Sequence, residues 1–250
     1  HGAKFVYMAA CVWDVERPTL RGWFHWRRAL YWTGLKKANA VVAQSELQEE
    51  AFLRNFNIKA RIIRSFQPPP EPVCLDKRHL LWVGRANPVK RAELFIDLAE
   101  RLSDTPCVMI LNASRDQEYF QGLKERAKRL SNLEFIPYVP HDQIMPYFHQ
   151  ARLFVNTSTT DEGFPNTYLQ AFRASAPVMA LAADPDGLIR KNNMGFVADD
   201  NLAVLENQIT RKFSDDTWIQ QTGSNAADYL RQNHDPEKLV EEWGKMLEAL

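Results

Sequence analysis

The sequence predicts an α/β fold, a doubly wound parallel sheet preceded by part of a second α/β domain. Three observations carry this prediction. Short apolar runs alternate with amphipathic stretches along most of the chain, the pattern of repeated strand–helix units. A proline-rich stretch, Gln67-Pro68-Pro69-Pro70-Glu71-Pro72, interrupts the alternation, which then restarts. The units before the interruption are too few to close a sheet of their own.

In chain order, residues 5–10 read as a strand, 23–37 as a helix, 40–43 as a strand, 46–55 as a helix and 60–63 as a strand. The proline run can form neither helix nor central strand and reads as a stiff linker. Beyond it come strand 79–83, helix 88–103, strand 107–111, helix 116–130, strand 133–136 and helix 141–149. Strand 152–156, helix 165–175, strand 178–180 and a helix-rich remainder complete the pattern. The expected domains are 1–66, the C-terminal part of a first α/β domain; 67–76, a linker; 77–235, a complete α/β domain; and 236–250, a terminal helix.

Composition excludes several classes. Among 250 residues, 31 basic and 31 acidic side chains give a formal net charge of zero, so no overall field draws nucleic acid or anionic lipid. Three cysteines, Cys11, Cys74 and Cys107, form no C-x-x-C pair, which argues against a disulfide framework or a zinc site and for a reducing cytoplasm. No run of about 18 apolar residues is present, and the start lacks the order of a signal peptide.

The most informative stretch is 156–171, Asn-Thr-Ser-Thr-Thr-Asp-Glu-Gly-Phe-Pro-Asn-Thr-Tyr-Leu-Gln-Ala. An apolar strand ends in polar residues, an acid, a glycine and a proline, and an amphipathic segment follows. Pro165 is expected near the first helical position, where its missing N–H costs nothing. Glu162 and the amides of Gly163, Phe164 and Asn166 then crowd one helix N-terminus, which suits hydroxyls and anions. The turn after strand 79–83 carries Gly84 and Arg85, and Lys90 and Arg91 lie in the first turn of the helix that Pro88 opens. Cations there oppose the helix dipole at a cost of roughly 0.3–1 kcal/mol each, which makes sense if an anion binds between them. A solvated basic turn is the alternative. Neither G-x-G-x-x-G nor G-x-x-x-x-G-K-[ST] is present.

Together these clusters resemble the nucleotide-sugar-binding half of retaining GT-B glycosyltransferases of the family four (group 1) type, a Rossmann-like domain. The likeness covers roughly 80–250. It rests on Val83-Gly84-Arg85 with Lys90, on 133–139, on Glu162-Gly163-Phe164-Pro165-Asn166, and on Gly187 through Gly195-Phe196-Val197. The resemblance implies that Arg85 and Lys90 hold the donor diphosphate and Glu162 the sugar hydroxyls. It further implies that the amides of Gly163, Phe164 and Asn166, with Pro165 among them, contact sugar and distal phosphate. Residues 1–66 then look like the last units of the acceptor-side domain, and 236–250 like a helix returning to it. The implied reaction is sugar transfer from a nucleotide-diphosphate donor with retention, in polysaccharide or glycoconjugate synthesis. It needs no cofactor and no metal, because two cations and a helix terminus already meet the leaving group.

Two departures from the family pattern stand out. The second glutamate of E-x7-E is replaced by Gln170, which loses a charge-assisted contact to the ribose but keeps an amide's hydrogen bonds. The histidine that many relatives place after the first strand is absent, since the chain reads Ala9-Ala10-Cys11; His25 is the nearest candidate and reads as a helix-surface residue. A catalytically impaired donor-binding module and a GT-B-like sugar epimerase are therefore the alternative functions. With only about 66 residues before the proline run, where an α/β domain normally needs 100 or more, this chain is expected to bind donor but transfer sugar poorly.

Other residues have competing readings. Tyr138 either stacks on a nucleobase or packs. His141 and His149 are spaced wrongly for a metal pair, and Asp184-Pro185-Asp186 reads as a turn. Segment 17–37 holds six basic residues and no acid, with Trp23, Phe24, Trp26, Tyr31 and Trp32. It either packs against further first-domain structure or lies on an anionic inner-membrane face bearing a lipid-linked acceptor. The expected partners are a nucleotide sugar and a sugar or lipid-linked acceptor, and no nucleic acid.

Overall fold

The computed structural model describes residues 2–9, 14–15, 25–72, 74 and 76–250. The described chain divides into two compact units, His1–Phe66 with Asn233–Leu250, and Gln67–Gln232.

The first unit contains β1 (Val6–Met8), α1 (His25–Lys37), β2 (Ala40–Ala43), α2 (Glu46–Phe56) and β3 (Arg61–Ile62). The strands pair in parallel in the order β1-β2-β3. Alternate residues of β2 serve two cores, as period-two geometry requires. Val41 and Ala43 pack with Leu35, Phe52 and Ala60. Val42 packs with Ile63 and with Leu239 and Met246 of the final helix, Pro236–Glu248. Ser45 caps α2 by accepting from the Gln48 N–H at 3.2 Å, and Asn57 ends it in a left-handed conformation. Ala10, Cys11 and most of the basic segment before His25, including Trp23 and Phe24, lie outside the described residues.

The second unit runs β4 (His79–Arg85), α3 (Ala92–Arg101), β5 (Cys107–Asn112), α4 (Gln117–Ala127), β6 (Leu133–Ile136), α5 (Met145–His149), β7 (Ala151–Asn156), α6 (Asn166–Arg173), β8 (Val178–Ala180), α7 (Leu188–Lys191), β9 (Gly195–Val197), α8 (Leu202–Lys212) and α9 (Asp216–Asn233). All six strands are parallel, in the order β6-β5-β4-β7-β8-β9. Leu80 and Trp82 of β4 face one core with Met109, Leu153 and Val155. Leu81 faces the other with Ile110, Phe154, Tyr168 and Phe172. Burial on both faces explains why these strands read as unbroken apolar runs.

Several elements differ from the sequence expectation. The helix expected over 88–103 is a short 3-10 turn, Pro88–Lys90, followed by α3 from Ala92. The helix expected over 141–149 divides into a 3-10 turn, His141–Gln143, and α5. The remainder after β8 contains a further strand, β9, paired in parallel with β8. The proline run packs on the second unit, where the Glu71 N–H donates to the Arg173 carbonyl at 3.1 Å. The Glu71 carboxylate pairs with Arg173 and stands 2.7 Å from His149 Nε2.

Candidate functional site

The sheet order points to one place as the candidate ligand site. From β4 the chain winds outward through β5 and β6, then returns to β7 on the opposite side of β4 and continues to β9. The chain thus leaves β4 and β7 in opposite directions along the sheet, and in open parallel sheets the carboxyl ends of two such strands are where a ligand crevice is expected. Both sequence clusters lie on those two connections.

The connections are laced together by hydrogen bonds. The Trp82 indole N–H donates to Thr157 Oγ1 at 2.9 Å, and that hydroxyl donates to the Lys90 carbonyl at 2.7 Å. The Thr159 N–H donates to the Val89 carbonyl at 3.0 Å. Asn87 caps the Pro88–Lys90 turn by accepting from the Val89 N–H at 3.0 Å. Gly84 makes room for the Trp82 ring, because a Cβ there would stand 2.6 Å from it. Arg91, with φ 46°, donates to the carbonyls of Thr157 and Ser158 at 2.8 and 3.1 Å and pairs with Asp200 at 2.5 Å.

Lys90 and Glu162, far apart in sequence, form an ion pair across the crevice, with side chains 23% and 11% exposed. Burial first, then the nearby Arg85 charge, pulls the Lys90 ammonium down to about 8, while the Glu162 carboxylate against it works in the opposite direction. Glu162 Oε1 is occupied by Lys90, but Oε2 is buried without a hydrogen-bond partner among the described residues. A buried carboxylate oxygen left bare is costly, and a hydroxyl donor entering the crevice would satisfy it. Thr167 Oγ1, in the first turn of α6, is bare in the same sense.

The predicted residues separate into those that converge and those that do not. Arg85 is exposed at the end of β4, close enough to influence Lys90. Gly163 is buried and Phe164 packs against the second core cluster. Pro165 is the cap of α6, with φ −70° and ψ 114°, one position before the expected place. Asn166 opens the helix and is exposed. The first-turn amides of Asn166 and Thr167 have no carbonyl within α6 to bind. Gln170 lies one turn further on and is 8% exposed. Tyr138 follows β6, the edge strand separated from β4 by β5, and is 66% exposed. Asp184 Oδ1 accepts from the Ile189 N–H at 2.7 Å within a turn, and burial raises its carboxyl. Among the described residues no group of three or more His, Cys, Asp or Glu side chains is arranged to hold a metal ion. Sequence reasoning missed Trp82 and Thr157. Only the polar run ending β7 hinted at the latter.

Comparisons with known proteins identify the family and the fold. The family model described as glycosyl transferases group 1 matches residues 77–215. No curated protein matches the sequence. Among solved structures, HepE of Anabaena in complex with UDP and glucose aligns with a TM-score of 0.80 at 18% identity, over 99% of this chain and 72% of that one. A mutant of S. aureus TarM, in complex with fondaparinux, α-GlcNAc-glycerol and UDP, gives 0.79 at 18% identity, over 98% and 50%. Sucrose-phosphate synthase from Thermosynechococcus elongatus gives 0.77 at 18%, over 100% and 68%. The chain thus spans half the length of TarM, and these likenesses concern the GT-B fold. With more than half of its residues matched by the family model, the chain belongs to the glycosyl transferases group 1 family.

Proposed function

We propose that the crevice binds a nucleotide-diphosphate sugar and that the protein transfers its hexosyl group to an acceptor with retention. The observation that carries this reading is the half-buried Lys90–Glu162 pair, with one buried Glu162 oxygen bare. The pair presents a cation for phosphate and an anion for hydroxyls at adjacent positions, matching the junction of diphosphate and sugar. The presence of UDP in the TarM and HepE structures supports it.

The chemistry follows from charge. Breaking the bond between the anomeric carbon and the phosphate oxygen leaves negative charge on the diphosphate and positive charge on the sugar. Lys90, Arg85 and the N-terminus of α6 stabilise the leaving group as it forms, without reorganising. Hydroxyls donated to Glu162 fix the sugar's orientation. Gln170 presents a neutral amide on α6, so a donor-binding module that does not catalyse is the second reading. Donor hydrolysis or transfer by an otherwise binding-competent protein separates the two. The acceptor, a sugar or a lipid-linked glycan, belongs to the same proposal. So does contact with an anionic membrane through 17–37, whose described part exposes Trp26 and Leu30.

Calorimetry against UDP-, GDP- and ADP-sugars tests the central reading. The expected result is tight binding of one nucleotide class, equal in chelator and in magnesium or manganese, because Arg85, Lys90 and the helix terminus supply the positive field. Absence of binding to all three classes overturns the reading, and a strict metal requirement overturns its metal-free form.

The lowered Lys90 value gives the pH dependence. The charged ammonium is the form that holds phosphate, and it is depleted as pH rises through about 8. Donor affinity should therefore be constant below that value and decline above it. Lys90→Arg, whose guanidinium stays charged to about pH 12, should flatten the decline. A wild-type affinity that does not change on either side of pH 8 would contradict the assignment.

A further inference from the structure

Arg91 has no task in the reading so far, yet its conformation is costly. It joins the Pro88–Lys90 turn to α3 with φ 46° and ψ 50°, a region that side-chain-bearing residues seldom occupy and glycine occupies freely. Its guanidinium is fully engaged. Nε donates to the Thr157 carbonyl at 2.8 Å, Nη2 to the Ser158 carbonyl at 3.1 Å, and Nη1 pairs with Asp200 Oδ1 at 2.5 Å. Asp200 is itself left-handed, with φ 63°, and its N–H donates to the Leu181 carbonyl at 2.7 Å. One side chain thus ties the connection after β4 to those after β7 and β9, and the Asp200 N–H carries the link on to the connection after β8. A planar fork of five donors can meet three acceptors at fixed angles, which an ammonium on a flexible stem does not.

We propose that Arg91 is a positioning residue. It holds the chain leaving β7 so that the Glu162 carboxylate stands where the sugar hydroxyls of a nucleotide sugar arrive, and it thereby sets the preference for the sugar-bearing donor over the bare nucleoside diphosphate. This rests on the donor-site reading. Arg91 itself points at two carbonyls and a carboxylate, and so acts through the loop. The remaining ties between the two connections survive its loss, because Val89 and Lys90 contribute them through backbone carbonyls. Those ties hold Thr157 and Thr159, while Arg91 is the group that grips the Thr157 and Ser158 carbonyls among the described residues and so fixes the peptide planes between them, on the way to Glu162.

The test compares the full chain with Arg91→Gly, Arg91→Lys and Asp200→Asn. It uses amide exchange across 157–164 without ligand, thermal melting, and calorimetry with UDP-glucose and UDP. Arg91→Gly should melt below the wild-type temperature, since relief of the backbone offsets only part of the two carbonyl bonds and the ion pair that are lost. Its 157–162 amides should exchange at least about tenfold faster, and the affinity ratio of UDP-glucose to UDP should fall toward one while UDP affinity holds. Arg91→Lys should restore part of both properties, and Asp200→Asn should fall between. Unchanged exchange in Arg91→Gly, or equal loss of both ligands, overturns the proposal. If the wild type shows no preference for UDP-glucose over UDP, the donor-site reading loses its support for that sugar, and exchange alone decides whether Arg91 positions the loop.

Discussion

Lys90→Ala should lower donor affinity by about 10- to 100-fold, since a charged contact to phosphate contributes roughly 1.5–3 kcal/mol. The same substitution should also destabilise the unligated protein. It leaves the Glu162 carboxylate, 11% exposed, without its counter-charge, and breaking a buried pair from one side costs about 3 kcal/mol or more. Two controls separate these effects. The double variant Lys90→Met, Glu162→Gln removes both charges and should recover most of the stability but none of the affinity. Arg85→Ala removes an exposed cation and should cost affinity with little change in stability. Denaturant unfolding and calorimetry with a nucleoside, its diphosphate and its diphosphate sugar provide the measurements. Equal loss for nucleoside and diphosphate in Lys90→Ala would remove the phosphate assignment.

The largest effect on the fold itself is expected at Gly195. Its residue lies opposite Val178 in the β8–β9 ladder, and a Cβ at this position would stand 1.8 Å from the Val178 carbonyl oxygen and 2.7 Å from the carbon. Both atoms belong to a central part of the backbone, so nothing flexible can move aside. Gly195→Ala must push β9 away from β8 and withdraw Val197, 5% exposed, from the second core cluster. A loss on the order of 3 kcal/mol follows, or roughly 10 °C in melting temperature for a unit of this size. Gly244→Ala is the opposite case. It sits in the final helix with nothing within 4 Å of its added methyl, and the gain in helix propensity should stabilise by about 0.5–1 kcal/mol. Equal melting temperatures for the two variants would show that β9 tolerates displacement.

Strands β4, β5 and β7 were legible because burial on both faces demands unbroken apolar residues, and a run such as Leu80-Leu81-Trp82-Val83 has few other uses. β9 was not, because it is three residues long and owes its place to pairing with β8, which leaves no period in the sequence. Pro88 correctly announced a helical turn. That the turn would stop at Lys90 depended on the left-handed Arg91, and φ is invisible when the residue is not glycine. In the candidate site, Glu162 and Lys90 each stood out from local chemistry, as an acid before a helix and a cation against a dipole. Their pairing did not, because 72 residues separate them and only the strand order brings them together. The bond from Trp82 to Thr157 was hidden for the same reason, and Trp82 read simply as core.

The path of the chain through the two units also constrains the order in which they fold. Unit 2 is one continuous segment, Gln67–Gln232, and its contacts can form as soon as that segment exists. Unit 1 is discontinuous. Its strands precede unit 2 in the sequence, but Val42 and Ile63 wait for Leu239 and Met246, which follow unit 2. Closing that core spans the whole of unit 2, and the entropy of so long a closure falls sharply if unit 2 is already compact and its ends are held. During synthesis the face of β2 that carries Val42 therefore stays uncovered for as long as unit 2 and the final helix take to emerge, and in that interval it is open to aggregation.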